Sequence, residues 1–527
     1  MGVVGGHAVV IGGAISGLVA ARTLASRFER VTVIDRDELP VEPRNRDGVP
    51  HGAHPHLLLI SGRLALEKLF PGLTEELIAG GAVPFDPGQD LLFVHGGGQR
   101  VRFPTEMQGI SLSRVYLEST LRARVRALRN VELRGRAEAC GLVGGRGRVT
   151  GVQVEGAEPI EADLVVDASG RTGGRGDRWL EQLGYPAPDV ATVKMKVGYS
   201  TRLYRRTDDD LPDGGVACLI APFAPHQRRA GVALPIEGDR WILAVGEWHG
   251  DRMPDTPEGF QRFIESLPVS YLADLAKRAE PIGDVLTRAF PASQRRYFER
   301  VRRLPAGYLA IGDAICSFNP LYGQGMTVAA LEALELGDCL DRFGAVSVDL
   351  AREYYRATGR VIDTPWTMAT GGDFAYPETT GRKPFGIDLL NGYMGKAILA
   401  AHVSPAVHRV LIEVQHLLKP PSALLRPGTV VRALRGARRS PARLPRSPEP
   451  AVTVPAPAKP PATESAAAPG APAAASESTA PESTAPESTA PESTAPGSTA
   501  APTAPAVAAS APAEPAGDAA PPAGPRP

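Results

Sequence analysis

Cysteine is scarce in this chain and scattered. Cys140, Cys218, Cys316 and Cys339 form no Cys-x-x-Cys pair, which argues against a zinc knuckle and against a disulfide framework. Net charge is also absent: 58 basic residues balance 58 acidic ones, so no global basic field points to nucleic acid as a partner. Lysine is only 8 of those 58 cations, a bias from which no mechanism follows. No apolar run approaches the roughly 18 to 20 residues that a membrane-crossing helix needs. The first strand pattern begins within the opening residues, which leaves no signal peptide to expect, and the expected location is cytoplasmic. Large apolar side chains are missing after Leu444, where Pro, Ala, Ser, Thr and Glu dominate and Glu-Ser-Thr-Ala-Pro repeats from Glu477 to Pro496. Such a segment cannot bury enough apolar surface to offset chain entropy, so 447–527 is expected to be disordered.

What is present begins with Ala8-Val-Val-Ile-Gly-Gly-Ala-Ile-Ser-Gly17, a strand-type run that breaks into small residues and then into the helical pattern Leu18–Leu24. Gly12 suits a tight turn, Gly13 and Ala14 continue it, and Gly17 allows close helix–strand packing. Backbone N–H groups and the helix dipole would then point at one spot, which suits a pyrophosphate. Val31-Thr-Val-Ile-Asp35 ends in an acid 23 residues beyond Gly12, where a carboxylate can accept hydrogen bonds from an adenosine ribose, with Arg36 beside it.

A Pro-rich loop follows, carrying Arg46, His51, His54 and His56. Its histidines lack nearby acid or Cys ligands, so metal is not expected, and Arg46 would be offered to cofactor phosphates. Residues 91–103 read as a hairpin about Gly96-Gly97-Gly98, and Ser113 caps a helix from 114 to 128 with Arg114 in its first turn, where a bound anion would favour it. Residues 131–160 read as a meander, and Ala162-Asp-Leu-Val-Val-Asp-Ala-Ser-Gly-Arg171 as a buried strand opening into a small-residue turn. From about 185 to 290 the alternation of Val193–Leu203, Ala230–Pro235 and Arg240–Gly246 predicts an antiparallel sheet with one covered face, packed by helices near 257–266 and 270–278. Gly307–Met326 then gives another strand, Asp313 at its end, and a helix start at Gly323-Gln-Gly-Met326. There Asp313 can bind a sugar or ribityl hydroxyl, and N–H groups around Gly325 and Met326 can face an anion. Helical patterns run over 354–368, 387–401 and 407–418, before an Arg-rich stretch at 426–446 in which peripheral contact with anionic membrane is a further expectation.

Taken together, Gly12–Gly17 with Asp35, Ala162–Arg171, and Gly312–Met326 with Pro320-Leu-Tyr-Gly-Gln-Gly325 resemble the FAD-dependent monooxygenases of the aromatic-hydroxylase and squalene-epoxidase-like superfamily. Asp35-Arg-Asp-Glu-Leu-Pro40, Arg46–His56 and Asn319–Met326 resemble most the actinobacterial polyether-type epoxidases. The resemblance implies an α/β fold: a Rossmann-like FAD-binding domain with a three-stranded meander, an α+β substrate domain built on an antiparallel sheet, C-terminal helices and a disordered tail. Its boundaries would be 1–184 and 291–345 for the two parts of the FAD domain, with hairpin 91–103 on the substrate side. The substrate domain would be 185–290, the helical region 346–446 and the tail 447–527. It implies that Gly12, Gly13, Ala14 and Gly17 hold the FAD pyrophosphate and Asp35, with Arg36, the adenosine ribose. Arg46 and Arg114 would meet phosphate or ribityl oxygens, Asp313 the ribityl chain, and Gly323, Gly325 and Met326 the pyrimidine edge. Substrate-pocket candidates are Met195, Val197, Tyr199, Trp241 and Tyr322.

The chemistry so implied is insertion of one oxygen atom from O2 into an apolar polyketide- or isoprenoid-like molecule, by epoxidation or hydroxylation, through a flavin C4a-hydroperoxide. No catalytic side chain and no metal are required. Electrons would come from NAD(P)H, directly or through a separate flavin reductase. Ser169-Gly170 stands where single-component hydroxylases place Asp-Gly, which favours the reductase. Three rivals remain: a C=C reductase of geranylgeranyl-reductase type, a halogenase, for which no Trp-x-Trp-x-Ile-Pro segment is found, and a flavin-binding scaffold recruiting a partner through its tail.

Overall fold

In the computed structural model, residues 2–171, 175–207 and 209–442 are described. The expected disordered tail at 447–527 and the end of the Arg-rich stretch lie outside them.

Continuous apolar strands build a parallel sheet covered on both faces. Its strand order is Tyr308–Ala310, Leu164–Asp167, Gly5–Ile11, Phe28–Ile34 and Val131–Arg134. Every neighbouring pair is parallel. The helix Ile15–Ala25 packs Leu18, Val19 and Leu24 into the core on one side. Alongside lies an antiparallel meander, Ala139–Gly145, Arg148–Val154 and Ile160–Glu161, shorter than the expected 131–160 because Val131–Arg134 pairs instead with the edge of the parallel sheet.

The second large sheet has eight strands. In spatial order they are Cys316–Ser317, Pro281–Arg296, Val190–Arg205, Arg240–Trp248, Arg229–Ile236, Ala217–Ala221, Leu91–His95 and Gly98–Gln99. Two features depart from expectation. Leu91–His95 joins this sheet by a parallel pairing with Ala217–Ala221, and its hairpin closes at Gln99 rather than at 103. The 16-residue strand Pro281–Arg296 also runs past residue 290, so one sheet spans the expected boundary.

Alternation decides what each face of that sheet does. Trp241, Leu243 and Val245 pack under the helices Pro257–Glu265 and Tyr271–Arg278, against Phe260, Phe263 and Leu272. Ala244, Gly246 and Trp248 reach the opposite face, which is a cavity wall.

Helix Val348–Asp373 begins six residues earlier than its pattern suggests, because the Ser347 hydroxyl accepts the Leu350 N–H and caps it. Helices Ile387–Ala400, Pro405–Gln415 and Pro427–Arg439 share a separate apolar core that includes Ala397, Leu411, Val414 and Leu424. Among the described residues no helix is long and apolar enough to cross a membrane.

Candidate functional site

The first glycine turn is sterically closed to side chains. Gly12 sits at φ +103°, and a Cβ there would lie 2.5 Å from the Ala168 carbonyl oxygen; at Gly17 it would lie 1.8 Å from the Gly12 oxygen. Ala14 supplies no side-chain cap to the helix Ile15–Ala25. Its first N–H groups therefore face the cavity that Gly12, Ala14, Ile15 and Ser16 line. Asp35 braces this turn: its Oδ2 accepts the Gly13 N–H at 2.6 Å and its Oδ1 the Asp37 N–H at 2.9 Å.

Arg46 and Arg114 line the cavity, but both are engaged by a carboxylate that the sequence reading overlooked. Glu118 accepts from Arg46 at 2.8 and 3.0 Å, from Arg114 at 2.7 Å, and from Arg122. Arg46 also pairs with Asp35 and Asp37, each at 3.2 Å. Burial alone would push the Glu118 carboxyl up, yet Arg114, Arg46 and Arg122 outweigh it and hold it below its ordinary value. Arg46 thus braces Asp35. The Arg114–Glu118 spacing of four on one helix was the available signal.

A second helix start faces the same space. Beyond the strand Tyr308–Ala310, Gly312 donates its N–H to buried Glu332 at 2.6 Å. Burial raises the Asp313 carboxyl to about 6, against the opposing pull of Arg171 and Arg114. Asn319 Oδ1 then accepts the Leu321 N–H and starts the turn Pro320–Tyr322; Gly323 closes it at φ +66°, where a Cβ would meet Leu57 at 2.6 Å. The helix Gly325–Phe343 follows without a side-chain cap. Gln324 is buried beside it, its Oε1 lacking a partner among the described residues.

Both helix starts open on one cavity of about 1120 Å³. It brings together Gly12, Ala14, Asp35, Arg36, Arg46, Arg114, Asp313, Gly323, Gly325 and Met326 of the expected cofactor set, with Tyr199 and Tyr322 of the expected pocket. Gly13 and Gly17 lie behind the turn, outside the lining. Met195 and Val197 are also outside it, packed with Trp248 and Tyr376, and Trp241 is on the sheet's other face with its indole N–H donated to Asp210 at 2.7 Å. Lys194 and Val197 flank a register shift that resets the alternation along Val190–Arg205.

The lining also holds residues the sequence reading did not select: Phe223, Trp248, Tyr376, Met368, and Leu390, Met394 and Ile398 of the C-terminal helices. Trp248 was accessible from its parity with Ala244 and Gly246, opposite to that of Trp241. His51, His54 and His56 line the cavity as neutral rings. Burial takes His51 down to about 3 and His54 to about 4, and His54 Nδ1 lies 2.8 Å from Thr201 Oγ1.

Asp373 ties these parts together. Its Oδ1 accepts from Asn319 Nδ2 at 2.9 Å, Trp248 Nε1 at 3.0 Å and the Tyr322 hydroxyl at 3.2 Å, and burial raises its carboxyl to about 6. Asp373→Ala would leave three buried donors without an acceptor and is expected to cost about 1–3 kcal/mol of stability, whereas Asp373→Asn keeps an oxygen there and should cost less. Denaturant titration of the two variants checks the order.

No family model matches the chain. Protein Rv3254 of Mycobacterium tuberculosis is 37% identical over 394 residues, which cover 71% of this chain and 81% of that protein. Among solved structures, the flavin-dependent brominase Bmp2 aligns with a TM-score of 0.59 at 15% identity, covering 82% of this chain and 99% of its own. The p-nitrophenol 4-monooxygenase PnpA from Pseudomonas putida DLL-E4 aligns at 0.55 and 17%, covering 80% and 100%. PqsL, a probable FAD-dependent monooxygenase from Pseudomonas aeruginosa, aligns at 0.52 and 18%, covering 70% and 97%. The chain therefore belongs to the family of the Mycobacterium tuberculosis protein Rv3254, on the fold shared by flavin-dependent monooxygenases and halogenases.

Proposed function

We propose that this protein is an FAD-dependent monooxygenase that inserts one oxygen atom of O2 into an apolar small molecule of polyketide or isoprenoid type, a reading that the motif resemblance to polyether-type epoxidases supports. The observation that carries the reading is a single cavity with two uncapped helix starts and a braced acid at one end and an apolar, aromatic wall at the other. The residues fit FAD. Gly12 and Gly17 cannot carry side chains, so the backbone is free to approach a pyrophosphate, with Gly13 and Ala14 in the same turn. Asp35 and Arg36 stand where an adenosine ribose would be held. Asp313 would take the ribityl chain, and Gly323, Gly325 and Met326 the pyrimidine edge, where a helix N-terminus favours negative charge.

When bound, FAD supplies reduction by a nicotinamide donor and activation of O2. The chain's task is to orient the substrate and keep water away. Tyr199, Phe223, Trp248, Tyr322 and Tyr376 offer aromatic surface for this, and Asp373 holds the indole and one phenol in place. The three neutral histidines add polarity without charge. Ser169 in place of an acid favours reduction by a separate flavin reductase, and the expected location is cytoplasmic.

The test starts from native mass measurement, where one FAD per chain is expected and NAD without flavin would reject the reading. Anaerobically reduced protein is then given O2 with a polyene and with bromide. Gain of one oxygen atom supports the proposal; bromination, or gain of two hydrogens without O2 uptake, replaces it with halogenase or reductase chemistry. NADPH alone should reduce the flavin slowly and an added flavin reductase should restore turnover. Stopped-flow reduction by NADPH at the turnover rate would remove the reductase from the account.

A further inference from the structure

Phe385 is fully exposed, Leu389 is 83% exposed and Leu425 54%. Single exposed apolar residues are ordinary, but two of these sit at one place. Leu389 lies one helical turn before Tyr393, whose hydroxyl donates to the Leu424 carbonyl at 2.6 Å, so the helix Ile387–Ala400 is clasped there to the turn that ends in Leu425. Phe385 lies two residues before that helix, ahead of its N-cap Gly386. Leu390, Met394, Leu424 and Leu425 also line the cavity. The exposed apolar patch is thus the outer rim of the cavity's apolar end.

Charge is gathered in the same segment. Residues 381–442 carry ten Lys and Arg against Asp388 and Glu413. Both acids are taken, by Lys383 at 2.6 Å and Lys419 at 2.7 Å, which leaves eight cations. Because the whole chain is neutral, the remainder carries eight negative charges in excess, so this region is the basic pole. The helix Pro427–Arg439 contains no acid. It turns Thr429, Ala433 and Gly436 inward, Gly436 against Ala400, and leaves Val431 and Leu434 exposed among Arg432, Arg435 and Arg438.

From this arrangement we infer that the C-terminal helices dock the protein on a bilayer containing anionic lipid, with the cavity rim at Phe385, Leu389 and Leu425 pressed into the headgroup boundary. Apolar side chains interleaved with cations match that boundary, where the acyl edge takes the former and lipid phosphates the latter. A substrate dissolved in the bilayer would then enter past Leu425 without crossing water. The inference rests on the oxygenase reading only for the nature of that cargo; docking is measured without substrate and stands or falls separately.

The full chain is sedimented with phosphatidylcholine vesicles, with and without about one-third phosphatidylglycerol. Binding to the anionic vesicles alone is expected at low salt, weakening as salt is raised. F385S/L389S and R432E/R435E should each lower the bound fraction at least about fivefold, the loss of roughly 1 kcal/mol that an exposed anchor supplies, while melting as the parent does. Phe385→Trp keeps the patch and adds a reporter, whose emission should shift to the blue on anionic vesicles only. Absence of binding at low salt, equal binding to neutral and anionic vesicles, or wild-type binding by both double variants would overturn the inference. Self-association abolished by F385S/L389S, without lipid binding, would reassign the face to a second copy of the chain.

Discussion

Gly17→Ala is expected to yield protein that does not retain FAD. The added methyl would stand 1.8 Å from the Gly12 carbonyl oxygen and 2.9 Å from its carbon, both backbone atoms that no rotamer change can move. The helix Ile15–Ala25 must then slide off the strand Gly5–Ile11, carrying with it the N–H groups proposed for the pyrophosphate. Overpacking of a core already costs about 1–3 kcal/mol, and a backbone clash belongs at or above the top of that range. Since every 1.4 kcal/mol is roughly tenfold in affinity, FAD binding should fall about 100-fold or more, with a lower melting temperature. Gly325→Ala is the control. Its Cβ would find nothing nearer than Asp313 Oδ1 at 3.8 Å, so the protein should melt normally, and any loss of FAD there reports contact with the ligand. Flavin absorbance per chain and thermal melting of both variants decide the matter; full occupancy in Gly17→Ala would mean that this turn is not the pyrophosphate site.

Glu118→Gln is expected to be among the most destabilising single changes in the chain. The carboxylate is buried among Arg46, Arg114 and Arg122, and removing its charge leaves three buried guanidinium groups, of which Arg46 keeps Asp35 and Asp37 and Arg122 keeps the Pro40 carbonyl. Breaking a buried ion network from one side costs about 3–5 kcal/mol. The pH dependence has a definite sign. Folded Glu118 holds its proton less tightly than the unfolded chain does, so its stabilisation is present above the ordinary carboxylate range and is lost as pH falls through the lowered folded value. The gap between parent and variant should therefore be widest near neutrality and close in acid, which denaturant titrations across pH would show. A gap that widens in acid would contradict the assignment of the charge to Glu118. Because Arg46 links Glu118 to Asp35, FAD affinity should fall in the same variant.

Much of the end of the cavity with the two helix starts was legible from residues alone. Gly12, Gly17 and Asp35 lie within 24 residues of one another, and a strand, a turn that excludes side chains, a helix and a second strand leave their marks in that order. The same held for Asp313 and the Gly323–Met326 helix start. The substrate end was read less well. Trp241 was a pocket candidate, and Trp248 lay beyond the expected strand end at Gly246; only the helices that cover one face decide which parity reaches the cavity.

Asp373 was missed because its partners Asn319 and Trp248 are 54 and 125 residues away. Arg46 and Arg114, expected at phosphate or ribityl oxygens, both line the cavity, yet the carboxylate they share is 72 residues from Arg46. Helix and strand period, the steric ban on a Cβ and the order of the parallel strands are properties of short stretches, and the sequence by itself determined them. Which face of a strand is covered, which buried charges meet and which distant helices close the cavity depend on surfaces that exist only after the chain has packed, and those the tertiary structure alone decided.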